Sequence, residues 1–264
     1  MKKIVWAILL IGLVVFFTAL PREKSLNKIR IGAPDDVSGL IVHYLLNSKG
    51  LQGETVIQNF TVLGVKDCCG SNTQWALSSE ELDIAIMCPD AATMLLEKDS
   101  RYVVVSPILA NSDVIVVKNG VFPQLVGIAQ NRDYQAQLVH DTFGPKCVPV
   151  NMHAASLPYA FEKSAVEGVV VDILKSFALQ GSKLPSFYRE TDRVTAVLVV
   201  RKAFMDDVRY KDFLRLYDQG VNELSQPDVM RAELKKFKSI ELSEEDMQIW
   251  KQLKIKFLFV RPET

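Results

Sequence analysis

Apolar residues along the chain fall into short blocks, parted by polar turns and by stretches in which apolar positions recur with helical spacing. That alternation predicts strands and helices in turn, hence an α/β fold with largely parallel sheets. A strand is expected at 28–32, a loop at 33–36 and a helix over 37–48. A second strand follows at 54–63, a small-residue loop at 64–72, a short helix at 73–79 and a buried strand at 82–87. Pro89 opens the next helix, because proline is tolerated in a first turn. Apolar strands then occupy 102–109 and 113–118. A second unit repeats the pattern, with a strand at 125–129 and a helix over 131–142 that stops at Gly144 and Pro145. A strand at 146–150, a helix over 155–164, a strand at 168–171 and a β-prone run at 194–200 follow. Everything after Lys202 reads as amphipathic helix, charged on one face as a peripheral layer should be.

The first twenty residues break this pattern. Lys2 and Lys3 precede an apolar stretch from Ile4 to Leu20. As a helix it would be about 25 Å long, close to the hydrocarbon core of a bilayer, with its lysines on the cytoplasmic side. It is longer than a usual signal-peptide core, and Thr18, Ala19 and Leu20 make a poor cleavage site, which favours an uncleaved anchor over a cleaved signal. Either reading exports the remainder to the extracytoplasmic face of the membrane or to the periplasm, with the membrane as a partner through this segment.

Composition narrows the classes further. The 264 residues carry 31 basic and 31 acidic side chains, and 48% are hydrophobic. A sizeable core is possible, and a disordered chain is excluded. The zero net charge argues against a nucleic-acid partner. Lys2 and Lys3 belong to the anchor, so the exported part is mildly acidic. Four cysteines are too few for a disulfide scaffold. No nucleophile elbow, phosphate-binding P-loop, zinc-protease helix or C-x-x-C pair occurs, so neither an enzyme nor a bound cofactor is expected.

The two units echo one another. Ser71 to Leu77 followed by Glu81 to Ile86 has a counterpart in Ala155 to Phe161 followed by Val166 to Asp172: a loop, a short helix, an acidic turn and a buried strand. This arrangement resembles the type II solute-binding proteins of ABC importers, whose members bind nitrate, sulfonates and thiamine precursors. The resemblance runs from Ile29 to about Leu224. It is most diagnostic at Ala76 and Leu77, at Leu82 to Ile86, and at Thr195 to Val200 ahead of Phe204. It implies a two-lobed fold, each lobe a mostly parallel sheet flanked by helices, after an anchor and linker at 1–26. Lobe one would comprise 27–117 plus 195–264, and lobe two 118–194. It also implies a small-molecule ligand and, as partners, an ABC permease and its ATPase. The run Asp67-Cys68-Cys69-Gly70-Ser71-Asn72-Thr73-Gln74-Trp75 resembles a subgroup linked with selenocysteine-assisted organometal uptake, where one position of the vicinal pair can be selenocysteine. This chain carries two ordinary cysteines there.

The site chemistry can be read without the family. Ligands of open α/β sheets bind beyond the carboxyl ends of the strands. The loops expected there hold Asp35 and Asp36, then Cys68, Cys69, Gly70, Ser71 and Asn72, then Cys88. In lobe two they hold Asn131 and Arg132, then Asn151 and His153. Cys68 and Cys69 precede a helix start, whose N–H groups favour thiolates, and Gly70 gives the loop room to aim both thiols one way. With Cys88 they could hold a soft metal such as mercury, or an organometal. Blander readings stand beside this. The cysteines could form disulfides, and Cys147 reads as a small core hydrophobe. His153 could be an ordinary surface histidine, Arg132 an exposed salt-bridge partner, and Asp35 or Asp36 an N-cap. Two further functions remain open: a binder of a small anion or heterocycle with incidental cysteines, and a thiol-dependent metal-detoxifying enzyme.

Overall fold

The apolar blocks become strands in a computed structural model that describes residues 28–48, 60–65, 82–187 and 191–261. Numbered over these residues, the strands are β1 (Ile29–Pro34), β2 (Phe60–Val65), β3 (Ile84–Met87), β4 (Tyr102–Ala110), β5 (Asp113–Val117) and β6 (Leu125–Ala129). They continue with β7 (Val148–Met152), β8 (Gly168–Asp172), β9 (Ser182–Leu184), β10 (Val194–Arg201) and β11 (Lys256–Phe257). The helices are α1 (Leu40–Asn47), α2 (Pro89–Lys98), α3 (Asp133–Phe143), α4 (Leu157–Glu162), α5 (Ile173–Ser176), α6 (Lys202–Met205), α7 (Val208–Leu224), α8 (Pro227–Lys238) and α9 (Glu244–Gln252).

Two sheets result, one ordered β11-β4-β10-β3-β1-β2 and the other β7-β6-β8-β5-β9. β1 runs parallel to β2 and β3, and β6 runs parallel to β7 and β8. β10 is antiparallel to β3 and β4, and β5 is antiparallel to β8 and β9. The α/β class holds, but both sheets are mixed where mostly parallel ones were expected. The reason is topological: β5 and β10 each enter a sheet by crossing from the other, and they arrive against the local direction.

Period-two alternation decides what each strand buries. Ile84, Ile86, Leu198 and Val200 face a core shared with α1, α7 and α8, while Ala85, Met87, Val197 and Val199 face Ala91, Ala92 and Leu95 of α2. In the second sheet Val114, Val116, Val169 and Val171 pack with Leu157 and Phe161 of α4, and Ile115, Val126 and Ile128 with Leu138 and Val139 of α3. Strands buried on both faces carry unbroken apolar runs, as β3 does and β5 does from Val114 to Val117. On α7 the buried Tyr210, Phe213, Leu216, Tyr217 and Val221 recur at helical spacing. Each such side chain contributes about 1.5–3 kcal/mol by leaving water.

Several expectations shift. β1 extends through Ala33 and Pro34, because these pair with Gly64 and Val65 and draw them out of the expected loop. The strand 113–118, assigned to the end of lobe one, is β5 of the second sheet; the apolar run Val114–Val117 carries no mark of the sheet it joins. Cys147, expected within a strand, lies one residue before β7, its thiol buried against α3. The helix over 155–164 begins as a 3-10 turn at Ala154–Ser156 and ends at Glu162. The C-terminal region is not wholly helical: β11 adds antiparallel to the β4 edge. The anchor, the strand residues 54–59 and the helix 73–79 lie outside the described residues.

Candidate functional site

The loops leaving β1, β6, β7 and β8 converge at the carboxyl ends of those strands, between the two sheets. They line an open, partly polar pocket, concave as small-ligand sites are. Asp35 and Asp36 enter it from the first sheet; Gln130, Arg132, His153, Asp172 and Lys175 enter from the second.

Asp36 is fixed by its own turn. Its Oδ1 accepts from the Ser38 N–H at 2.9 Å and the Ser38 hydroxyl at 2.5 Å, capping the 3-10 turn Val37–Gly39. The turn folds back so closely that a Cβ on Gly39 would sit 1.9 Å from the Pro34 carbonyl oxygen. Only glycine fits there. Asp35 is exposed, 3.9 Å from Lys238 of α8.

Arg132 is committed within the protein. Its Nη1 donates to Asp113 Oδ1 and Oδ2 at 3.3 and 3.1 Å. Asp113, 2% exposed, also accepts from Gln135 Nε2 at 2.8 Å and from the Tyr134 hydroxyl. Gln135 in turn accepts from the Ala129 N–H at 2.9 Å, which anchors the loop after β6. The guanidinium therefore answers a buried carboxylate rather than standing ready for an incoming anion.

Asp172 caps α5. Its Oδ1 accepts from the Leu174 N–H at 3.0 Å, and its Oδ2 accepts from the Val37 N–H of the first sheet's loop at 3.4 Å. Burial pushes its carboxyl well above the ordinary range; the nearby charge of Asp36 and then that of Asp113 push the same way. Asp90, in the first turn of α2, is also raised, by burial and then by the charge of Asp133.

Of the residues singled out from sequence, Asp35, Asp36, Arg132 and His153 line the pocket. His153 is exposed and accepts from the Ala155 N–H at 3.3 Å. Asn131 is exposed with φ at 61°, and Asn151 is exposed on the β7 edge; neither lines the pocket. Cys88 is 1% exposed, precedes α2 and packs with Ala91, Ala92 and Leu95, away from the lining. Cys68, Cys69, Gly70, Ser71 and Asn72 lie outside the described residues. Among the described residues no three His, Cys, Asp or Glu side chains converge as a metal site would require. Gln130, on the loop expected to close over the cleft, also lines it, whereas sequence reasoning missed Asp113, Gln135, Asp172 and Lys175. Asp172 had a signal: it ends a buried strand and caps a helix, as Asp36 follows β1 and caps a turn.

The sheets are joined by two crossovers that run side by side. At the first, Asn111 is buried and left-handed, with φ at 63°. Its N–H donates to the Arg193 carbonyl at 2.9 Å, and its Oδ1 accepts from the Arg193 N–H at 2.8 Å. Its Nδ2 donates to Asp192 Oδ1 at 2.8 Å and to the Lys254 carbonyl at 3.0 Å. Next to it, Ser112 and Thr195 hydrogen-bond through their hydroxyls at 2.8 Å.

This fold has counterparts among solved structures. The ligand-binding component of an ABC-type import system from Staphylococcus aureus, with zinc bound, matches over 89% of this chain and 86% of that one, with TM-score 0.67 and 15% identity. The fold is the same. The periplasmic aliphatic sulphonate binding protein SsuA from Escherichia coli matches at TM-score 0.64 and 12% identity, over 90% of this chain and 87% of that one. The alkanesulfonate-binding protein SsuA from Xanthomonas axonopodis pv. citri, bound to MOPS, matches at TM-score 0.62 and 12% identity, over 88% and 86%. No protein-family model and no curated protein matches the chain.

Proposed function

We propose that the chain is the solute-binding component of an ABC importer, held at the extracytoplasmic face of the membrane by its N-terminal segment. Its two lobes would close over a small ligand and present it to a permease driven by an ATPase, in the manner of hinged periplasmic binding proteins. One observation carries this reading: the pocket lies between two sheets, at the carboxyl ends of β1, β6, β7 and β8, and the sheets are joined by two adjacent crossovers. The neighbouring folds support it. Among the described residues no helix is long and apolar enough to cross a membrane, so tethering rests on residues 4–20.

For the ligand we favour a soft metal or organometal captured by the thiolates of Cys68 and Cys69. Cys68 follows Val65 by three residues, so chain length keeps it within about 10 Å of that residue. Val65 pairs with Pro34, and Asp35 and Asp36 of the pocket come directly after Pro34. In sequence the vicinal pair thus follows closely on a strand whose partner leads into the pocket, whereas the Cys88 thiol is occupied in core packing. A small anion fits the lining less well, since Asp35, Asp36 and Asp172 face the space and Arg132 is paired with Asp113.

The test is mercury bound per chain, measured by native mass spectrometry for the wild type and a Cys68→Ser/Cys69→Ser variant. One tightly held mercury that the double variant loses is expected. Equal binding by both would sink the thiolate reading.

A further inference from the structure

We propose that the cleft contains a proton-operated latch, in which closure of the lobes sets Asp172 against Asp36 and takes up one proton. The inference rests on the solute-binding reading and concerns the control of that same site.

Asp36 and Asp172 line one pocket from opposite sheets. The hydrogen bond from the Val37 N–H to Asp172 Oδ2 runs from one sheet's loop to the other's and holds the two carboxylates in proximity. Neither can turn away freely. Asp36 is tied through Oδ1 to Ser38, and Asp172 through Oδ1 to the Leu174 N–H. The other charged or titratable groups facing this space are Asp35 beside Asp36, Asp113 from β5, Arg132 after β6, His153 after β7 and Lys175 on α5. Arg132 is engaged by Asp113, and Lys175 lies at the exposed rim, where water weakens its pull.

Two carboxylates held together out of water cannot both stay ionised without cost. In the closed arrangement burial and the charge of Asp36 raise Asp172. When the lobes part, water returns and Asp36 recedes, so Asp172 falls back toward the ordinary range. The closed state then binds a proton more tightly than the open one. By linkage, the closed-to-open ratio rises as pH falls through the raised value, by up to about tenfold per pH unit for one proton. Above that value the two negative charges hold the lobes apart. A solute that carries positive charge into the pocket does the proton's work and closes the lobes at higher pH.

The test is single-molecule energy transfer on the full-length chain in detergent micelles. Dyes are attached through ketone-bearing residues at the exposed positions Thr93 on α2 and Gln137 on α3. Without solute, the closed population of the wild type should grow steeply from pH 8 to pH 5. Asp172→Asn should stay closed and flat across that range. Asp36→Asn, which keeps Asp172 intact, should move the midpoint down toward the ordinary carboxylate range. His153→Gln removes the histidine that lines the pocket, and the slope should survive it. A wild-type ratio that ignores pH, a slope that persists in Asp172→Asn, or one that vanishes in His153→Gln would overturn the latch. If mercuric chloride closes the lobes while pH does not, the latch alone fails. If neither moves them, the solute-binding reading falls with it.

Discussion

The crossover at Asn111 offers the sharpest test of how the two sheets are joined. Replacing Asn111 by alanine removes three side-chain hydrogen bonds: from Nδ2 to Asp192 and to the Lys254 carbonyl, and from the Arg193 N–H to Oδ1. At a net 0.5–1.5 kcal/mol each, the loss is about 3 kcal/mol. Alanine must also hold φ at 63°, where its Cβ crowds the following carbonyl oxygen, adding about 1 kcal/mol. Asn111→Ala should therefore destabilise the fold by about 4 kcal/mol, read as a lower urea midpoint at constant slope. A double-mutant cycle with Asp192→Ala isolates one bond and should give a coupling of about 1 kcal/mol. The Asp192 carboxylate also pairs with Lys256 at 2.6 Å, so the single Asp192→Ala variant carries that loss separately. A shift below about 1 kcal/mol for Asn111→Ala would refute the reasoning. The crossovers would then be joined by backbone and hydroxyl contacts alone.

Two further predictions concern buried groups remote from the pocket. Asp83 receives Arg30 on both oxygens, at 3.2 Å each, and Arg201 at 2.5 Å. Burial raises its carboxyl, but the hydrogen bonds from Arg30 and Arg201 outweigh it and leave it below the usual value of 3.8. A lowered carboxyl stabilises above its unfolded pKa, and that stability is lost as pH falls through the lower folded value. Asp83→Asn should cost about 2–3 kcal/mol at neutral pH, discounted from a fully buried pair because both arginines are partly exposed. The gap should shrink below about pH 4, so urea midpoints that stay equally far apart down to pH 2.5 would contradict the account. Cys147 is fully buried, and its thiol is raised by burial and then by the charge of Glu167. It should resist a disulfide reagent in the native protein and react in urea; a fast-reacting thiol lost in Cys147→Ser would count against this.

The latch and the thiolate site rest on different parts of the chain, and that separation reflects what each required. The vicinal cysteines stand out in one dimension because two adjacent thiols before a glycine are rare chemistry. Asp172 does not stand out, since an aspartate before a short helix is an ordinary cap. Its significance comes from Val37 and Asp36, 135 and 136 positions away along the chain and brought against it only by folding. Cys88 shows the reverse case. Its place after a buried strand pointed to the cleft, yet the thiol turns into the packing beside α2, because the residue ahead of a helix can face either way.

Sequence by itself determined the strands and helices wherever burial is two-sided or strictly periodic, since apolar runs and their spacing are local properties. β3, β6, α2 and β10 are all found where the pattern put them. It also pointed to the loops after β1, β6 and β7, which contribute to the pocket, but not to the loop after β8. Only the tertiary structure decided which sheet takes β5, the reversed direction of β10, the edge strand β11 and the pairing of Arg132 with Asp113. These depend on contacts between residues far apart in the chain, whose energies a local pattern does not contain. The opposition of Asp36 and Asp172 belongs to the same class, since it exists only in the fold.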